Sequence, residues 1–409
     1  MWRPGPNPLD SPAVRTSPSV LRLYYFLSFA ALGAYVPFFP PWLEARGIHG
    51  LAMSSITALL PFVGLASPVA FGVASDALGL RGSLLCVASF GALAPFVLLA
   101  VASAAHVPLG YGAIFAAVAL FALFRTPVVM LADVMTLESG SSYGATRLFG
   151  SLGFLLTAAF GGRWLGGTRL APLPVAVAIG LALAFAVSTM LRAPRAHATE
   201  PVLDGAGQLF RSGAFRLFLG VTLLWGMSHA AYDLCFSLDL RDLGAKPSVI
   251  GAYWAVGVVA EIALMSVSSR LVTKFGSARL IVFGLAVVGL RWALVASVSS
   301  LTVLLWLQPL HALTFGLVWV AALGYTKEHA PAHVLATAQS LFSIATGIGA
   351  GVGMLTWGAL YAAGKGPVVF TVAAAVAGAG GVLSLFLAPA RATTSAVVAS
   401  DETATAQPS

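Results

Sequence analysis

The amino-acid sequence predicts an all-α integral membrane protein with twelve transmembrane helices arranged as two six-helix bundles. Three observations lead to this prediction. Of the 409 residues, 59% are hydrophobic and only 9% are charged, whereas a soluble domain carries about 25% charged residues. Apolar stretches of roughly 20 residues, the length that crosses a bilayer, follow one another along the chain. A polar stretch at 192–213 divides these apolar stretches six and six.

The apolar stretches define the predicted spans TM1 to TM12, numbered in chain order. They lie at 20–43, 51–75, 82–104, 108–132, 145–167, 171–191, 214–238, 247–270, 279–298, 300–324, 334–362 and 367–388. The predicted organisation is a tail at 1–19, an N-terminal bundle at 20–191, a linker at 192–213, a C-terminal bundle at 214–388 and a tail at 389–409. The first 18 residues are rich in proline and lack the apolar centre of a signal peptide, so they are interpreted as a cytoplasmic tail. The C-terminal tail is interpreted in the same way.

The positive charges predict the orientation of the chain in the membrane. With the spans above, 14 Lys and Arg residues, Arg147 among them, fall on the side of the termini and 6 fall on the other side. Since positive loops stay in the cytoplasm, both termini and the linker are predicted to face inward. The 18 Arg against 4 Lys indicate a GC-rich bacterial genome, and hence the bacterial inner (plasma) membrane.

The composition also argues against several other classes of protein. The net charge of +8 forms no basic stripe with interleaved aromatic residues, so no nucleic-acid partner is expected. Cys86 and Cys235 lie inside apolar spans, where packing is a better interpretation than a disulfide or a metal site. No cofactor and no metal are predicted. The expected partners are a small-molecule substrate, protons and the lipid bilayer, and the protein is expected to be a monomer.

An internal repeat supports the division into two halves, which would place a substrate site at their interface near the middle of the bilayer. The paired segments lie at offsets of 194, 197 and 193 residues. They are LRLYYF at 21–26 with FRLFLG at 215–220, Gly47 and Gly79 with Gly244 and Gly276, and Leu148-Phe149 with Leu341-Phe342.

The loop after TM2 carries a charged and glycine-containing motif, Gly72-x-x-x-Asp76-x-x-Gly79-x-Arg81. Glycine permits close helix packing and, at Gly79, a tight turn, while Asp76 and Arg81 can cap a helix or pair with neighbours. This motif resembles the signature loop of the major facilitator superfamily, which implies a gating role for these four residues. The second half keeps less of the motif, with Ser269, Thr273 and Gly276 at the matching positions.

Several further segments resemble the phenylpropionate-permease branch of that superfamily, which is related to lactose permease. The resemblance covers roughly 20–388 and implies secondary active transport by alternating access. The segments that carry it are LRLYYFLSFAALGAYVPFFPPWL in TM1, PVVMLADVMTL in TM4, RLFGSLGF in TM5, AVGVVAEI in TM8, LRWAL in TM9, and LHALTFG with LATAQSLFS in TM10 and TM11.

Three ionisable residues lie at a similar depth in the second half: Glu261 in TM8, Arg291 in TM9 and His311 in TM10. A charge at mid-membrane costs roughly 2.5–3.5 kcal/mol on insertion scales, so each needs a physical reason. The resemblance implies proton coupling by Glu261 and His311, with Arg291 tuning Glu261 or receiving an anionic substrate. The resembled family has an acid one turn after the His, where this chain has Thr314. Alternatively, Glu261 and Arg291 neutralise each other and lock TM8 to TM9, with His311 hydrogen-bonded nearby.

Other polar residues inside the spans are candidates for the substrate site. His229 and Asp233 lie one turn apart on TM7, where they either line the cavity or pair with each other. Tyr35 occupies the position in TM1 that repeats His229. In TM4, Arg125 is a candidate anion-binding residue or else snorkels or pairs with Asp133, two turns away. Asp133 matches the branch pattern and is assigned to gating.

The sequence favours a proton symporter that imports an organic acid or a similar metabolite. No nucleotide-binding loop or hydrolase motif occurs, so an ATP-driven transporter or an enzyme is not expected. The alternative is a proton-coupled exporter of drugs or metabolites. Exporters of the resembled superfamily carry a Gly-Pro-rich motif in TM5, and TM5 here has glycines but no proline.

Overall fold

The structure, a computed structural model, describes residues 17–139, 142–165, 170–191, 206–331 and 334–388. Within these ranges the regular structure consists of helices. The predicted linker and tails fall largely outside the described residues, at 192–205, 1–16 and 389–409, as does the side chain of Asp76. A helix lies at each of the twelve predicted spans.

The helices of the first half are continuous except for one break in TM2 between Thr57 and Leu59. Gly79 ends TM2 in a left-handed conformation with φ of 64°, the turn predicted from the sequence. The bounds are Pro18–Glu44 for TM1, Gly50–Thr57 with Leu59–Leu78 for TM2, Arg81–Ala104 for TM3, Tyr111–Glu138 for TM4, Tyr143–Trp164 for TM5 and Leu173–Ser188 for TM6.

The helices of the second half are less regular, because TM7 and TM10 each contain a π-helical segment. A short helix, Ala206–Arg211, precedes TM7. TM7 comprises Gly213–Ala231, the π-helical Tyr232–Phe236 and Ser237–Asp242. TM8 is Pro247–Met265, followed by the short helix Ser268–Phe275, and TM9 is Ser277–Ser297. TM10 comprises Leu301–Trp306, Gln308–Leu310, the π-helical Ala312–Leu317 and Val318–His329, and TM11 and TM12 lie within Leu335–Ser384.

TM11 and TM12 are joined differently from the prediction. The sequence places a loop at 363–366, whereas the structure has helical hydrogen bonding through this region with a kink at one residue, Lys365, whose φ is 59° and ψ −164°. By length and composition, eight helical segments of the described chain are able to cross a membrane, and one of them, Thr337–Ser384, holds both TM11 and TM12. Large apolar side chains such as Leu98 and Phe160 are exposed on the outside of the bundle, where lipid would cover them.

Close backbone contacts at glycines join the helices within each half. A Cβ on Gly33 of TM1 would lie 2.4 Å from the carbonyl oxygen of Phe154 in TM5, and one on Gly153 of TM5 would lie 2.0 Å from that of Phe26 in TM1. The second half repeats this pair. A Cβ on Gly226 of TM7 would approach the carbonyl of Thr346 in TM11, and one on Gly349 would approach that of Leu223.

The two halves meet along TM5 with TM8 and along TM2 with TM11. At the end predicted to face outward, Glu44 of TM1 pairs with Arg241 of TM7 at 2.5 Å and lies 3.9 Å from Lys365. Of the ion pairs among the described residues, Glu44–Arg241 and Glu44–Lys365 are the two that connect the halves. A cavity of about 590 Å³ lies between the halves near this end, lined in part by Arg163 and Lys246.

Candidate functional site

The candidate site forms where the π-helical segments of TM7 and TM10 face each other. A π-helical turn inserts a residue into an α-helix and is frequent at functional sites. His229 lies one turn before the segment in TM7, and His311 lies immediately before the segment in TM10. Their ring centroids are 5.6 Å apart, and the ring of Tyr232 lies 5.8 Å from one and 5.2 Å from the other.

Two pairs of titratable side chains meet here. Nε2 of His311 lies 3.5 Å from a carboxylate oxygen of Glu261 in TM8, and Nε2 of His229 lies 4.0 Å from Asp233. Two glycines make room for the first pair. A Cβ on Gly257 would lie 3.3 Å from Cβ of His311, and a Cβ on Gly316 would lie 3.2 Å from Cγ of Glu261. Among the described residues, no group of three or more His, Cys, Asp or Glu side chains could hold a metal ion.

Arg291 lies beside this cluster but has different partners from those suggested by the sequence. Its side chain is fully buried, and its guanidinium donates to Thr314 Oγ1 at 2.9 Å and to Gln308 Oε1 at 3.1 Å. The rings of Tyr232 and Trp292 each lie 4.8 Å from its charged carbon. The described contacts therefore pair Glu261 with His311 rather than with Arg291.

Gln308 and Tyr232 are the residues of this arrangement that the sequence reasoning missed. Gln308 is fully buried, and its carbonyl oxygen also accepts a hydrogen bond from the hydroxyl of Tyr232 at 3.2 Å. Its amide nitrogen donates to the carbonyl of Leu304 at 2.7 Å, which fixes its orientation. A scan for ionisable residues passes over a neutral Gln, although an amide inside an apolar span is itself an unusual signal.

Arg147 in TM5 brings a positive charge from the first half towards this cluster. It lies near the start of the helix Tyr143–Trp164, the end that the positive charges predict to be cytoplasmic, and it is half-buried. Its guanidinium stacks over the ring of Phe29 at 4.2 Å and interacts electrostatically with Glu261 across the interface between the halves. Among the described residues this is an electrostatic attraction between the halves, and the ion pair of Glu261 is the one with His311.

Aromatic side chains line the second half next to the titratable cluster. The ring of Phe315 is stacked on His311 at 5.4 Å and lies 5.9 Å from Trp225 and 6.0 Å from Trp319. Phe315 and Trp319 are half-buried, whereas Trp225 is buried and donates a hydrogen bond to the carbonyl of Thr314. Such a wall can pack against the apolar face of a small ligand.

The structure does not group the remaining predicted site residues with this cluster. Tyr35 is buried in a separate aromatic cluster, with its ring 4.4 Å from that of Phe39. Asp133 accepts hydrogen bonds from Tyr25 and, at 3.3 Å, from Tyr143. Arg125 is buried in the first half, 5.6 Å from the ring of Phe29.

The predicted gating loop lies at the other end of the molecule from Glu44. Arg81 forms an ion pair with Glu138, which connects the start of TM3 to the end of TM4. A Cβ on Gly72 would make only ordinary contact with Met130, at 3.6 Å. The gating assignment of Gly72, Asp76, Gly79, Arg81 and Asp133 stays a prediction.

Comparison with known proteins decides the family. The model of the MFS_1-like family matches residues 19–372. The chain belongs to this family. It is 31% identical over 343 residues to the maltose permease of Geobacillus stearothermophilus, covering 81% of this chain and 84% of the relative. It is 27% identical over 354 residues to the probable 3-phenylpropionic acid transporter of Escherichia coli, covering 82% and 88%.

The fold agrees with this assignment. The crystal structure of the nucleoside transporter NupG superposes with a TM-score of 0.75 at 16% identity, covering 90% of this chain and 97% of that chain. The predicted membership of the major facilitator superfamily and the all-α membrane fold are therefore confirmed. The protein is a multi-pass membrane transporter and not an enzyme. The boundaries of the halves, the orientation of the termini and the monomeric state stay predictions.

Proposed function

We propose that this transporter is a proton symporter that imports a small organic acid by alternating access. The observation that carries the proposal is the placement of Glu261, which lies 3.5 Å from His311 and is attracted by the charge of Arg147 in the opposite half. Glu261 is thus positioned to exchange a proton with His311 and to change the charge that Arg147 meets.

This geometry supplies a reason for coupling. When Glu261 is ionised, it offers Arg147 a counter-charge, because the two groups attract each other across the interface between the halves. When Glu261 takes up a proton, that counter-charge is lost and a substrate carboxylate can replace it. When Glu261 loses the proton, it again competes with the substrate carboxylate for Arg147, which favours release of the substrate. The proton and the anion therefore bind with positive coupling, and each raises the affinity for the other.

The aromatic wall suggests the rest of the substrate. Phe315 and Trp319 present ring faces next to His311, which suit a flat or apolar body attached to the carboxylate. The similarity to the probable 3-phenylpropionic acid transporter supports this class of solute. The 31% identity to a maltose permease supports a second candidate, a sugar symporter that uses the same proton-binding pair.

The experiment uses purified protein in liposomes that enclose a pH-sensitive dye. Aromatic acids, sugars and nucleosides are added in turn, and the expected result is proton influx driven by an aromatic acid. Influx with a sugar would instead favour the second candidate. If no solute drives protons inward and an imposed proton gradient expels a dye, the protein is an exporter.

The coupling residue is tested with Glu261→Gln, which fixes the neutral form. We expect this variant to exchange labelled substrate for unlabelled substrate while substrate-driven proton influx is lost. Glu328→Gln is the matched control, since Glu328 lies at the end of TM10 and accepts a hydrogen bond from Ser277. Full proton influx in Glu261→Gln would show that Glu261 does not carry the proton.

A further inference from the structure

A buried arginine in the middle of TM4 has no anionic partner in the described structure. Arg125 lies fourteen residues after Tyr111 and thirteen before Glu138, at the centre of the helix, and only 4% of its surface is exposed. Its Nε and Nη2 have no hydrogen-bond partner among the described residues. An intramembrane charge that is neither paired nor solvated is costly, so a compensating group is expected.

The neighbouring side chains do not supply this group. Asp133, two turns further along TM4, is occupied by the hydroxyls of Tyr25 and Tyr143. The groups that interact electrostatically with Arg125 are Tyr24, a neutral phenol that donates a hydrogen bond to Ser89, and Arg147, which has the same sign as Arg125. Both guanidinium groups lie over the ring of Phe29, Arg125 at 5.6 Å and Arg147 at 4.2 Å.

Arg125 lines a small cavity inside the first half. The walls come from TM1, TM3, TM4 and TM6, and their polar members besides Arg125 are Tyr24, Ser28 and Ser89. Because Ser89 donates to the carbonyl of Leu85 at 2.8 Å, its oxygen accepts the 2.8 Å hydrogen bond from Tyr24. The space available to the centre of a water-sized sphere is about 10 Å³, roughly what one water or one small ion needs.

We propose that this cavity binds a single halide-sized inorganic anion, held by Arg125 inside the N-terminal bundle and separate from the transport site. A water molecule would satisfy the free N–H groups but would leave the positive charge uncompensated next to Arg147. A monovalent anion accepts hydrogen bonds from the free N–H groups and also compensates the positive charge of Arg125. An organic carboxylate does not fit the space. The anion is therefore a resident component that stabilises the packing of TM1, TM3, TM4 and TM6, and not the transported solute.

The first test measures thermal unfolding of the purified full-length protein in a neutral detergent, in sodium chloride and in sodium gluconate at equal ionic strength. Because a ligand that binds only the folded state stabilises it by mass action, chloride is expected to raise the midpoint saturably, by about 2 °C or more. Arg125→Gln is expected to lose this difference. Arg270→Gln, a charge-matched change at an exposed position, is expected to keep it.

A second measurement on the unmutated protein covers the case in which Arg125→Gln does not fold. Crystals soaked in sodium bromide are expected to show an anomalous scattering peak within hydrogen-bond distance of Arg125. Equal midpoints in chloride and gluconate together with an empty anomalous map would show that the cavity holds water, and would overturn the proposal. A chloride effect that persists in Arg125→Gln would also overturn it, because the anion would then bind elsewhere.

Discussion

Arg147 and Arg291 differ in how firmly the structure holds their charges. Arg291 is buried against two aromatic rings and donates to Gln308 and Thr314, so its position is fixed by neutral partners. Arg147 is half-buried, and a ligand can compete for its contacts, which include the ring face of Phe29, the hydroxyl of Tyr143 and the electrostatic attractions to Asp133 and Glu261. Of these two arginines, Arg147 is the better candidate for the anion of a substrate.

This contrast predicts a charge-selective defect at Arg147. We expect Arg147→Gln to weaken binding of a carboxylate substrate about tenfold or more, because hydrogen bonds to charged groups contribute about 1.5–3 kcal/mol. Binding of the neutral amide of the same compound should change little. The measurement is binding by tryptophan fluorescence, with Arg279→Gln, an exposed arginine at the start of TM9, as the control. Equal losses for acid and amide would contradict the assignment.

At this scale the sequence predicts which residues are unusual better than it predicts their partners. Glu261, His229 and His311 are recognisable because ionisable groups in apolar spans are rare. Their pairing depends on helix rotation and on side-chain orientation, which the composition does not specify. The charge count assigns Arg147 to the cytoplasmic side but does not reveal its contact with Phe29, because a residue one turn inside a helix end and one outside it look alike in the sequence.

At the scale of the element, the π-helical segments decide where the titratable side chains point. In TM7 the segment Tyr232–Phe236 follows His229, and in TM10 the segment Ala312–Leu317 follows His311. One inserted residue rotates the rest of a helix relative to its start. Hydropathy does not detect such an insertion, because the segments are as apolar as the helices around them. The spans were therefore predictable, but the approach of the two histidines was not.

The glycines at the close helix contacts follow the same internal repeat as the sequence. Gly33 and Gly226 lie 193 residues apart, and Gly153 and Gly349 lie 196 apart, which matches the offsets seen in the sequence repeat. In both halves the partner of each glycine is a backbone carbonyl, which cannot move aside as the end of a side chain can. The same helix crossing, TM1 with TM5 in the first half and TM7 with TM11 in the second, thus occurs in each half.

This arrangement predicts similar destabilisation at two distant positions. Gly153→Ala and Gly349→Ala each place a Cβ at 2.0 Å from a carbonyl oxygen, and overpacking of this kind typically costs about 1–3 kcal/mol. Each variant should therefore lower the midpoint of thermal unfolding. Gly220→Ala is the control, since a Cβ there meets nothing within 4 Å. Unchanged midpoints in both variants would mean that the helices do not approach this closely.

For the whole molecule, composition and the spacing of apolar stretches were sufficient to predict the fold, because a bilayer admits few alternatives to helices. The sequence does not reveal which end of the two halves is closed. The described ion pairs between the halves lie at the end that carries Glu44, Arg241 and Lys365. If that end faces outward, as the positive charges predict, then the structure is closed towards the outside.

Glu44→Gln is therefore expected to open that end more often. The 2.5 Å pair with Arg241 should dominate the effect, because Lys365 is 57% exposed and lies 3.9 Å away. Loss of a partly exposed pair is worth about 1 kcal/mol or less, so the ratio of closed to open molecules should fall by at most about fivefold.

Double electron–electron resonance between spin labels at Ala105 and Ser299, both exposed near that end, would report the change as a larger population of long distances. Glu328→Gln at the opposite end should leave the distance distribution unchanged. An unaltered distribution in Glu44→Gln would show that the helix contacts of TM5 with TM8 and TM2 with TM11, rather than these charges, hold the halves together.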